Sequence, residues 1–273
     1  MNTLLNIFSY SCPLLLAACG ALFSEYAGSL ALFLEGLISF SSYLTFFFIH
    51  ITGSVILGIT ISIITSTLSV FVFALFLSKT KANTFIASIG MNLIFTAATS
   101  FFSNISFGTR GVLTSENIDF PVISIQIFSV IITIILLIFT FLFLAKTQKG
   151  IYFRVTGTNE DVLISKGISV ELYKIFAWVI CSFFACWAGI LLTLRISSFV
   201  PNISSGKGWM ALAAVFLGRK KIWKIGLFTL IFCIGDYLSI SIQNYIPKIP
   251  SSLLLSLPYI IVLAIICTDK GRE

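Results

Sequence analysis

Three polar side chains stand inside long apolar runs of this sequence and are the first candidates for chemistry. Glu35 lies in LALFLEGLISF, Asn92 in SIGMNLIF and Asp236 in LIFCIGDYLSI. A charge near the centre of a bilayer costs at least about 2.5–3.5 kcal/mol on insertion scales, so such groups usually face a cavity or a partner. The two carboxylates are therefore candidates for lining a hydrophilic pathway or for carrying a proton. The alternative is structural: Glu35 near a membrane interface, Asp236 hydrogen-bonded between helices, and Asn92 holding two helices together.

The familiar catalytic motifs are absent from the sequence. It has no G-x-x-x-x-G-K-[ST] phosphate loop, no G-x-S-x-G and no H-E-x-x-H. His50 is the single histidine and has no partner at ligand spacing. The six cysteines lie in apolar segments without a C-x-x-C pair, which is typical of small buried hydrophobic residues. We therefore expect neither an enzyme nor a metal site in this chain.

The composition indicates that most of the protein surface faces lipid. Of the 273 residues, 58% are hydrophobic and only 10% are charged, and the mean hydropathy is +1.07. A soluble domain of this size carries roughly 25% charged residues. The sequence therefore predicts an all-α, polytopic membrane helical bundle that forms a single transmembrane domain over residues 1–273.

Apolar runs long enough to cross a bilayer predict eight spans. They cover residues 4–22, 30–49, 54–77, 84–102, 122–145, 174–194, 225–243 and 251–268. A further apolar run, 208–218, is too short to cross as a straight helix, but a polar loop precedes it and a basic loop follows it. Because the chain must alternate sides, this run is expected to return it as a short or broken helix. The total is then about nine membrane segments.

The net charge of +7 is concentrated at the ends of the apolar runs. Four groups hold 13 of the 17 Lys and Arg residues: Lys79 and Lys81; Lys146, Lys149, Arg154, Lys166 and Lys174; Arg219, Lys220, Lys221 and Lys224; and Lys270 and Arg272. The positive-inside rule places these groups in the cytoplasm. The charge therefore indicates topology and not a nucleic-acid partner. The N-terminus and the loops 103–121 and 196–207 are then external, and the loop of about 147–173 is cytoplasmic.

Four patches, in order, resemble the permease subunits of bacterial ATP-binding-cassette (ABC) importers for nucleosides, simple sugars and branched-chain amino acids. The patches are CPLLLAACGALFSEYAGSLALFLEG at 12–36, KANTFIASIGMNLI at 81–94, RVTGTNEDVLISKGISV at 154–170 and FVPNISSGKGWMALAAVFLGR at 199–219. The likeness is greatest to the branch that imports nucleosides and is paired with basic-membrane-protein lipoproteins. Together the patches extend along nearly the whole chain.

The resemblance implies an assembly in the bacterial cytoplasmic (inner) membrane, surrounded by lipid. It would contain a second, different permease chain, two cytoplasmic ABC ATPases that bind ATP and Mg, and an external substrate-binding lipoprotein. This chain would form half of the pathway and hold no cofactor itself. Nucleosides are the first choice of cargo, with riboflavin or a simple sugar next. The rival class is a proton-coupled secondary transporter that uses Glu35 or Asp236 and needs no ATPase.

The third patch is similar to the family's cytoplasmic segment that docks on the ATPase. The resemblance carries this role to Arg154, Gly157, Asn159, Gly167 and Ile168. Within this loop the stretch from Asn159 to Ser165 is expected to form a short helix, capped by Thr158 or Asn159 and with acidic residues in its first turn. The alternative is an ordinary solvated connecting loop.

The fourth patch matches the short segment 208–218 and the loop before it. Gly206 and Gly208 are small enough to allow close backbone approach near a substrate path, and plain tight packing is the alternative. The residues predicted to line the pathway are Glu35, Asn92, Gly206, Gly208 and Asp236.

Overall fold

The computed structural model describes residues 2–114 and 122–245, together with Ser256, Tyr259, Ile260 and Leu263. In these residues the chain forms ten helices and one two-stranded ribbon, which confirms the all-α class. The elements are α1 (Asn2–Tyr26), α2 (Leu34–Thr52), α3 (Val55–Thr80), α4 (Thr84–Phe107), β1 (Leu113–Thr114), α5 (Val122–Lys146), α6 (Gln148–Thr156), α7 (Glu160–Ile164), α8 (Val170–Ile196), β2 (Ser198–Phe199), α9 (Lys207–Leu217) and α10 (Ile222–Tyr245).

Seven helices in the described ranges are long and apolar enough to cross a bilayer, namely α1, α2, α3, α4, α5, α8 and α10. Each of them corresponds to one predicted span. The predicted span 251–268 falls outside the described residues except at four positions, so the total of about nine segments stays a prediction. α9 is an unbroken helix of 11 residues. At 1.5 Å per residue it is about 16 Å long, roughly half of a ~30 Å hydrocarbon core.

α1, α2 and α8 form the centre of the bundle. In the crossing segments of α1 and α8, 78% and 72% of the residues are buried, whereas only 22% are buried in each of α3, α4 and α5. The side chains exposed on these outer helices are mostly Ile, Leu and Phe, including Ile64, Phe101 and Ile138. Apolar side chains of this kind suit contact with acyl chains. The outer helices therefore shield the inner three from lipid.

Residues of the cytoplasmic groups predicted from charge gather at one end of the bundle, called the basic end below. Tyr26, at the end of α1, donates its hydroxyl to the carbonyl oxygen of Lys220 at 2.6 Å. The Lys220 ammonium lies 3.1 Å from Oε1 of Glu25. Nearby, the Ser78 hydroxyl of α3 donates to Glu171 of α8 at 3.0 Å. The gathering of these helix ends agrees with the sidedness expected from the positive-inside rule.

The two loops predicted to be external meet at the other end of the bundle. β1 pairs antiparallel with β2, with Leu113 opposite Phe199 and Thr114 opposite Ser198. This ribbon ties the loop after α4 to the loop after α8, so the two loops lie on the same side.

The loop 147–173 contains more regular structure than the sequence predicts. α6, which was not expected, is capped by the Thr147 side chain, which accepts the N–H of Gly150 at 3.0 Å. α7 confirms the short helix expected between Asn159 and Ser165, with its acidic first turn. Asn159 occupies the N-cap position, but its side chain makes no capping hydrogen bond. The Thr158 hydroxyl donates back to the carbonyl oxygens of Arg154 and Val155, so neither predicted residue caps α7 with its side chain.

Candidate functional site

The start of α9 is held by a carboxylate from α2. Gly206, the N-cap residue of α9, has a left-handed backbone with φ of 82°, which glycine adopts without steric cost. Its N–H donates to Oε1 of Glu35 at 2.7 Å, and the N–H of Gly208 donates to Oε2 at 2.7 Å. The Ser204 hydroxyl also donates to Oε1. A carboxylate at this place satisfies the free N–H groups of a helix start and interacts favourably with the helix dipole.

The backbones of α9 and α2 touch at the same place. A Cβ atom at Gly208 would lie 2.5 Å from the backbone nitrogen of Glu35 and 2.7 Å from its Cα. Backbone atoms cannot move aside as the end of a flexible side chain can, so only glycine fits here. The close approach expected for Gly208 is therefore present, and it joins α9 to α2.

α4 caps the start of α2. The Asn92 side-chain oxygen accepts the N–H of Gly36 at 2.6 Å, and the Ser88 hydroxyl accepts the N–H of Phe33 at 3.2 Å. Asn92 thus holds two helices together, which is the structural role that the sequence left as an alternative. Its contact lies one residue away from Glu35.

Asp236 of α10 belongs to a buried ionic cluster. The Tyr10 hydroxyl donates to Oδ2 of Asp236 at 2.8 Å, and the Lys207 ammonium lies 3.5 Å from the same oxygen. The Arg195 guanidinium lies over the Tyr10 ring, 4.6 Å from its centroid. Asp236 and Lys207 are only 8% and 7% exposed. Because an unpaired buried charge is strongly unfavourable, each of the two groups needs the other.

The structure brings all five residues predicted for the pathway into one connected cluster. Glu35 binds Gly206 and Gly208 directly, and Asn92 binds the residue after Glu35. Asp236 pairs with Lys207, the residue between the two glycines. We call this set the α9 cluster; its other members are Tyr10, Arg195, Ser204 and Lys207. It is a polar centre in which five helices (α1, α2, α4, α8 and α10) and the start of α9 meet.

Comparison with known families identifies the class of protein that carries this cluster. Residues 3–266 match the family model described as branched-chain amino acid transport system / permease component. The chain belongs to this family. The protein is therefore a permease subunit of the ABC transporter class, as the four sequence patches indicated. With seven apolar helices of crossing length in the described part of the chain, the permease is a multi-pass protein of the bacterial inner membrane.

Three relatives that align along most of the permease are named as ABC transporter permeases. The putative glucose ABC transporter permease protein TsgC13 of Haloferax volcanii is 24% identical over 85% of this chain and 74% of its own length. The nucleoside ABC transporter permease protein NupC of Lactococcus lactis is 23% identical over 98% of this chain and 92% of its own. The guanosine ABC transporter permease protein NupQ of Bacillus subtilis is 25% identical over 96% and 90%.

A solved structure shares the fold of the permease. PsaBC from Streptococcus pneumoniae, in complex with Fab, matches with a TM-score of 0.58 and covers 94% of this chain and 89% of its own. The sequence identity is 10%. The likeness therefore shows the fold alone.

The residues predicted for ATPase coupling fall into two sets. Arg154 and Gly157 lie against the end of α1: the guanidinium is 5.4 Å from the centroid of the Tyr26 ring, and a Cβ atom at Gly157 would lie 2.8 Å from the nitrogen of Gly28. The same Cβ would also overlap the carbonyl oxygen of Tyr26. This end of α6 is in backbone contact with the turn between α1 and α2.

The second set faces away from the bundle. Asn159 and Gly167 are exposed, and Ile168 is half-buried. Gly167 has a left-handed backbone with φ of 71°, and the space around its Cα is open. Gly167 and Ile168 line a shallow depression beside the start of α8. The sequence patch therefore contains one contact with the permease itself and one surface that is free in this chain.

Four members of the α9 cluster, Tyr10, Arg195, Ser204 and Lys207, were not expected from the sequence. A signal for two of them was present. Of the 17 basic residues, only Arg110, Arg195, Lys207 and Lys248 fall outside the four cytoplasmic groups. A basic residue that the positive-inside rule does not explain needs a partner of opposite charge or a polar partner within the protein. For Lys207 this partner is the Asp236 carboxylate.

Proposed function

We propose that this permease forms half of the translocation pathway of an ATP-driven importer whose cargo is nucleosides. The observation that carries the proposal is the charge balance of the α9 cluster. Its two carboxylates, Glu35 and Asp236, are matched by Lys207 and Arg195. Because the charges offset each other inside the protein, the cluster suits a neutral polar solute better than an ion.

The choice of nucleoside rests on the relatives and on the sequence patches. NupC and NupQ, whose names give nucleosides and guanosine as cargo, align with this chain almost from end to end. The patches favour the same branch of the family. The similarity to TsgC13, a putative glucose permease, supports a simple sugar as the second candidate cargo. A nucleoside and a simple sugar both contain a sugar ring that carries hydroxyl groups.

ABC importers of this family work with ATPase and substrate-binding partners, and we assign the following assembly to this chain. Two cytoplasmic ATPases bind ATP and Mg and dock on the 147–173 segment. A second, different permease chain completes the pore, and an external lipoprotein delivers the cargo. The exposed surface at Gly167 and Ile168, at the basic end of the bundle, supports the docking step.

The contact at Gly157 offers a route from the ATPase to the α9 cluster. Gly157 touches Gly28, which lies seven residues before Glu35 in the chain. The other end of α9 is tied to the same α1–α2 connection. Lys220, just after α9, is bound by both Glu25 and Tyr26 at the end of α1. A movement of α6 would therefore reach both ends of the short helix through the α1–α2 connection.

Purification in mild detergent, followed by uptake in liposomes, tests the proposal. We expect the permease to bring down an ATPase, a second permease and a lipoprotein, identified by mass spectrometry. Liposomes holding this assembly should take up labelled uridine or guanosine when ATP reaches the ATPases, and an uncoupler should have no effect. A chain that purifies alone, with uptake that collapses when the proton gradient is removed, would overturn the proposal in favour of a secondary transporter.

A further inference from the structure

A cavity of about 200 Å³, with several hydroxyl side chains in its wall, lies between α2, α4 and the loop that follows β2. Nine described residues line it; seven of them are polar, and the exceptions are Phe199 and Pro201. It lies at the end of the bundle opposite the basic end, because β2 and the loop after α4 both contribute to its wall. In a chain with 58% hydrophobic residues, such a concentration of polar groups within a crossing helix needs a reason.

One face of α4 supplies most of the polar wall. Thr96, Thr99, Ser100 and Ser103 all line the cavity and, with Asn92, follow the three- and four-residue spacing that puts side chains on one side of a helix. Thr96 and Ser100 are exposed. The other exposed residues of α4 are mostly Phe, Ile and Leu, which suit lipid. α4 therefore has a lipid face and a hydroxyl face, and the hydroxyl face points into the cavity.

The cavity adjoins the α9 cluster directly. Ser39, on the α2 wall, shares a hydrogen bond of 2.7 Å with the Ser204 hydroxyl, which in turn donates to Glu35. On the α4 wall, Thr96 donates to the carbonyl oxygen of Asn92 at 2.8 Å, one turn further towards the cluster. A continuous row of polar groups thus connects the predicted external side with the start of α9.

We propose that this cavity is an outer subsite that binds the sugar ring of a neutral, polyhydroxylated cargo; the inference rests on the function proposed above. Hydroxyl and amide groups both donate and accept hydrogen bonds, as the hydroxyls of a sugar do. Among the described residues that line the cavity there is no carboxylate, and Arg110 is the one charged group. The cavity is smaller than the roughly 300–1,000 Å³ of complete small-molecule sites, so it holds one ring and not a whole nucleoside.

Cysteine labelling tests whether the cavity is open to cargo. Thr96→Cys and Ser100→Cys are compared with Thr67→Cys, a matched control on α3. Thr67 makes the same local bond as Thr96, from its hydroxyl to the carbonyl oxygen four residues before it, but it does not line the cavity. The unmodified chain measures the background reaction of the native cysteines. The five native cysteines in the described residues are all buried.

A membrane-impermeant maleimide is added to the assembled importer from outside. We expect the two cavity cysteines to react at least several-fold faster than Thr67→Cys, and uridine or ribose to slow their reaction. Rates equal to the control, or rates that neither solute changes, would overturn the subsite.

Uptake kinetics test the hydrogen bonds themselves. Thr96→Val and Ser100→Ala should raise the KM for uridine about 3- to 10-fold each, the effect of losing one hydrogen bond to the cargo. Thr67→Val should leave KM unchanged. Because the Thr96 hydroxyl bonds only within its own helix among the described residues, its removal should not prevent folding, and a melting curve checks this.

The two proposals fail in different ways. If the unmodified importer transports uridine and both cavity variants keep its KM, the subsite is wrong while the nucleoside function stands. If the unmodified importer transports no nucleoside, the cargo is wrong, and protection of the cavity cysteines by ribose or glucose then decides the subsite alone.

Discussion

The backbone N–H of Gly208 donates a hydrogen bond of 2.7 Å to the carboxylate of Glu35. Glu35 is the second residue of α2 and Gly208 is the second residue of α9, so the starts of these two helices lie side by side. Each helix start carries a partial positive charge, so two adjacent starts repel unless a negative group lies between them. Glu35 supplies that group from inside an apolar run. In secondary transporters with interrupted helices, half-helix starts point at anionic groups of the substrate near the middle of the membrane, whereas here the anionic group is the protein's own Glu35.

The first prediction concerns the contact between these two backbones. Gly208→Ala places a methyl group against the nitrogen and Cα of Glu35, so α9 must move away from α2. We expect a loss of about 1–3 kcal/mol in stability, as for other overpacked sites, and a fall of at least 10-fold in ATP-dependent uptake. Melting in detergent and uptake in liposomes measure the two effects.

Gly90→Ala is the matched control for this substitution. Gly90 is also inside a membrane helix, but a Cβ atom there meets nothing within 4 Å. Alanine should be neutral or stabilise α4 by up to about 1 kcal/mol, because it has the higher helix propensity. If both alanine variants keep wild-type stability and uptake, the backbone contact has no mechanical role.

The second prediction separates the charge of Glu35 from its hydrogen bonds. Glu35→Ala leaves the N–H groups of Gly206 and Gly208 without an acceptor, and each unsatisfied buried donor costs about 1–3 kcal/mol, whereas the Ser204 hydroxyl can still donate to Ser39. Glu35→Gln keeps one accepting oxygen and should fall between alanine and wild type in thermal stability. Glu160→Ala, which breaks an exposed pair with Lys174, should change stability by less than about 1 kcal/mol. An unchanged melting temperature in Glu35→Ala would show that α9 does not depend on this cap.

The sequence was sufficient to predict the crossing helices, because length and hydropathy alone determine whether a helix can span a bilayer. It also singled out Glu35, Asn92 and Asp236, since a polar group in an apolar run is conspicuous without any knowledge of its neighbours. The short α9 followed from the alternation of polar and basic loops. These features depend on local composition, which a single sequence contains.

The partners of these residues depend on tertiary structure and were not predictable. Tyr10 and Asp236 are 226 positions apart, and no periodic pattern connects them. α6 was missed for a related reason: it is polar and contains Gly150, so its own pattern is weak. Its helix is stabilised by packing, because Phe153 lies against the rings of Phe23 and Phe143.

The third prediction is a double-mutant cycle on the buried ion pair. Asp236→Leu or Lys207→Met alone leaves one charge buried and unpaired, which costs about 3–5 kcal/mol. The double variant removes both charges and should recover most of that loss. Thermal or denaturant unfolding in detergent measures the coupling energy.

The exposed pair Lys174–Glu160 is the control for the cycle. Its atoms are closer, at 2.6 Å against 3.5 Å, but its side chains are 31% and 47% exposed. Because solvent screens exposed charges, its coupling should be at most about 1 kcal/mol. A larger coupling for the exposed pair than for Lys207–Asp236 would contradict the view that burial makes the α9 cluster a structural unit.

The fourth prediction tests the route from the cytoplasmic segment to the α9 cluster. Gly157→Ala pushes α6 away from the Tyr26 carbonyl and from Gly28, without altering the exposed surface at Gly167 and Ile168. We expect the ATPase to remain bound and to hydrolyse ATP, while uptake falls at least 10-fold. Co-purification, ATP hydrolysis and uptake are measured on the same preparation.

Charged substitutions at the exposed surface should give the opposite result. Gly167→Glu combined with Ile168→Glu changes the face that we propose for docking, so the ATPase should be lost from the purified complex. The permease itself should lose only about 1 kcal/mol in stability, the cost of a side chain at the left-handed backbone of Gly167. Gly226→Ala, at a position with nothing within 4 Å of the added Cβ, controls for glycine replacement in general. If the Gly157 variant loses the ATPase and the charged variant keeps it, then docking involves the α1 contact and the transmission route drawn through Gly28 is wrong.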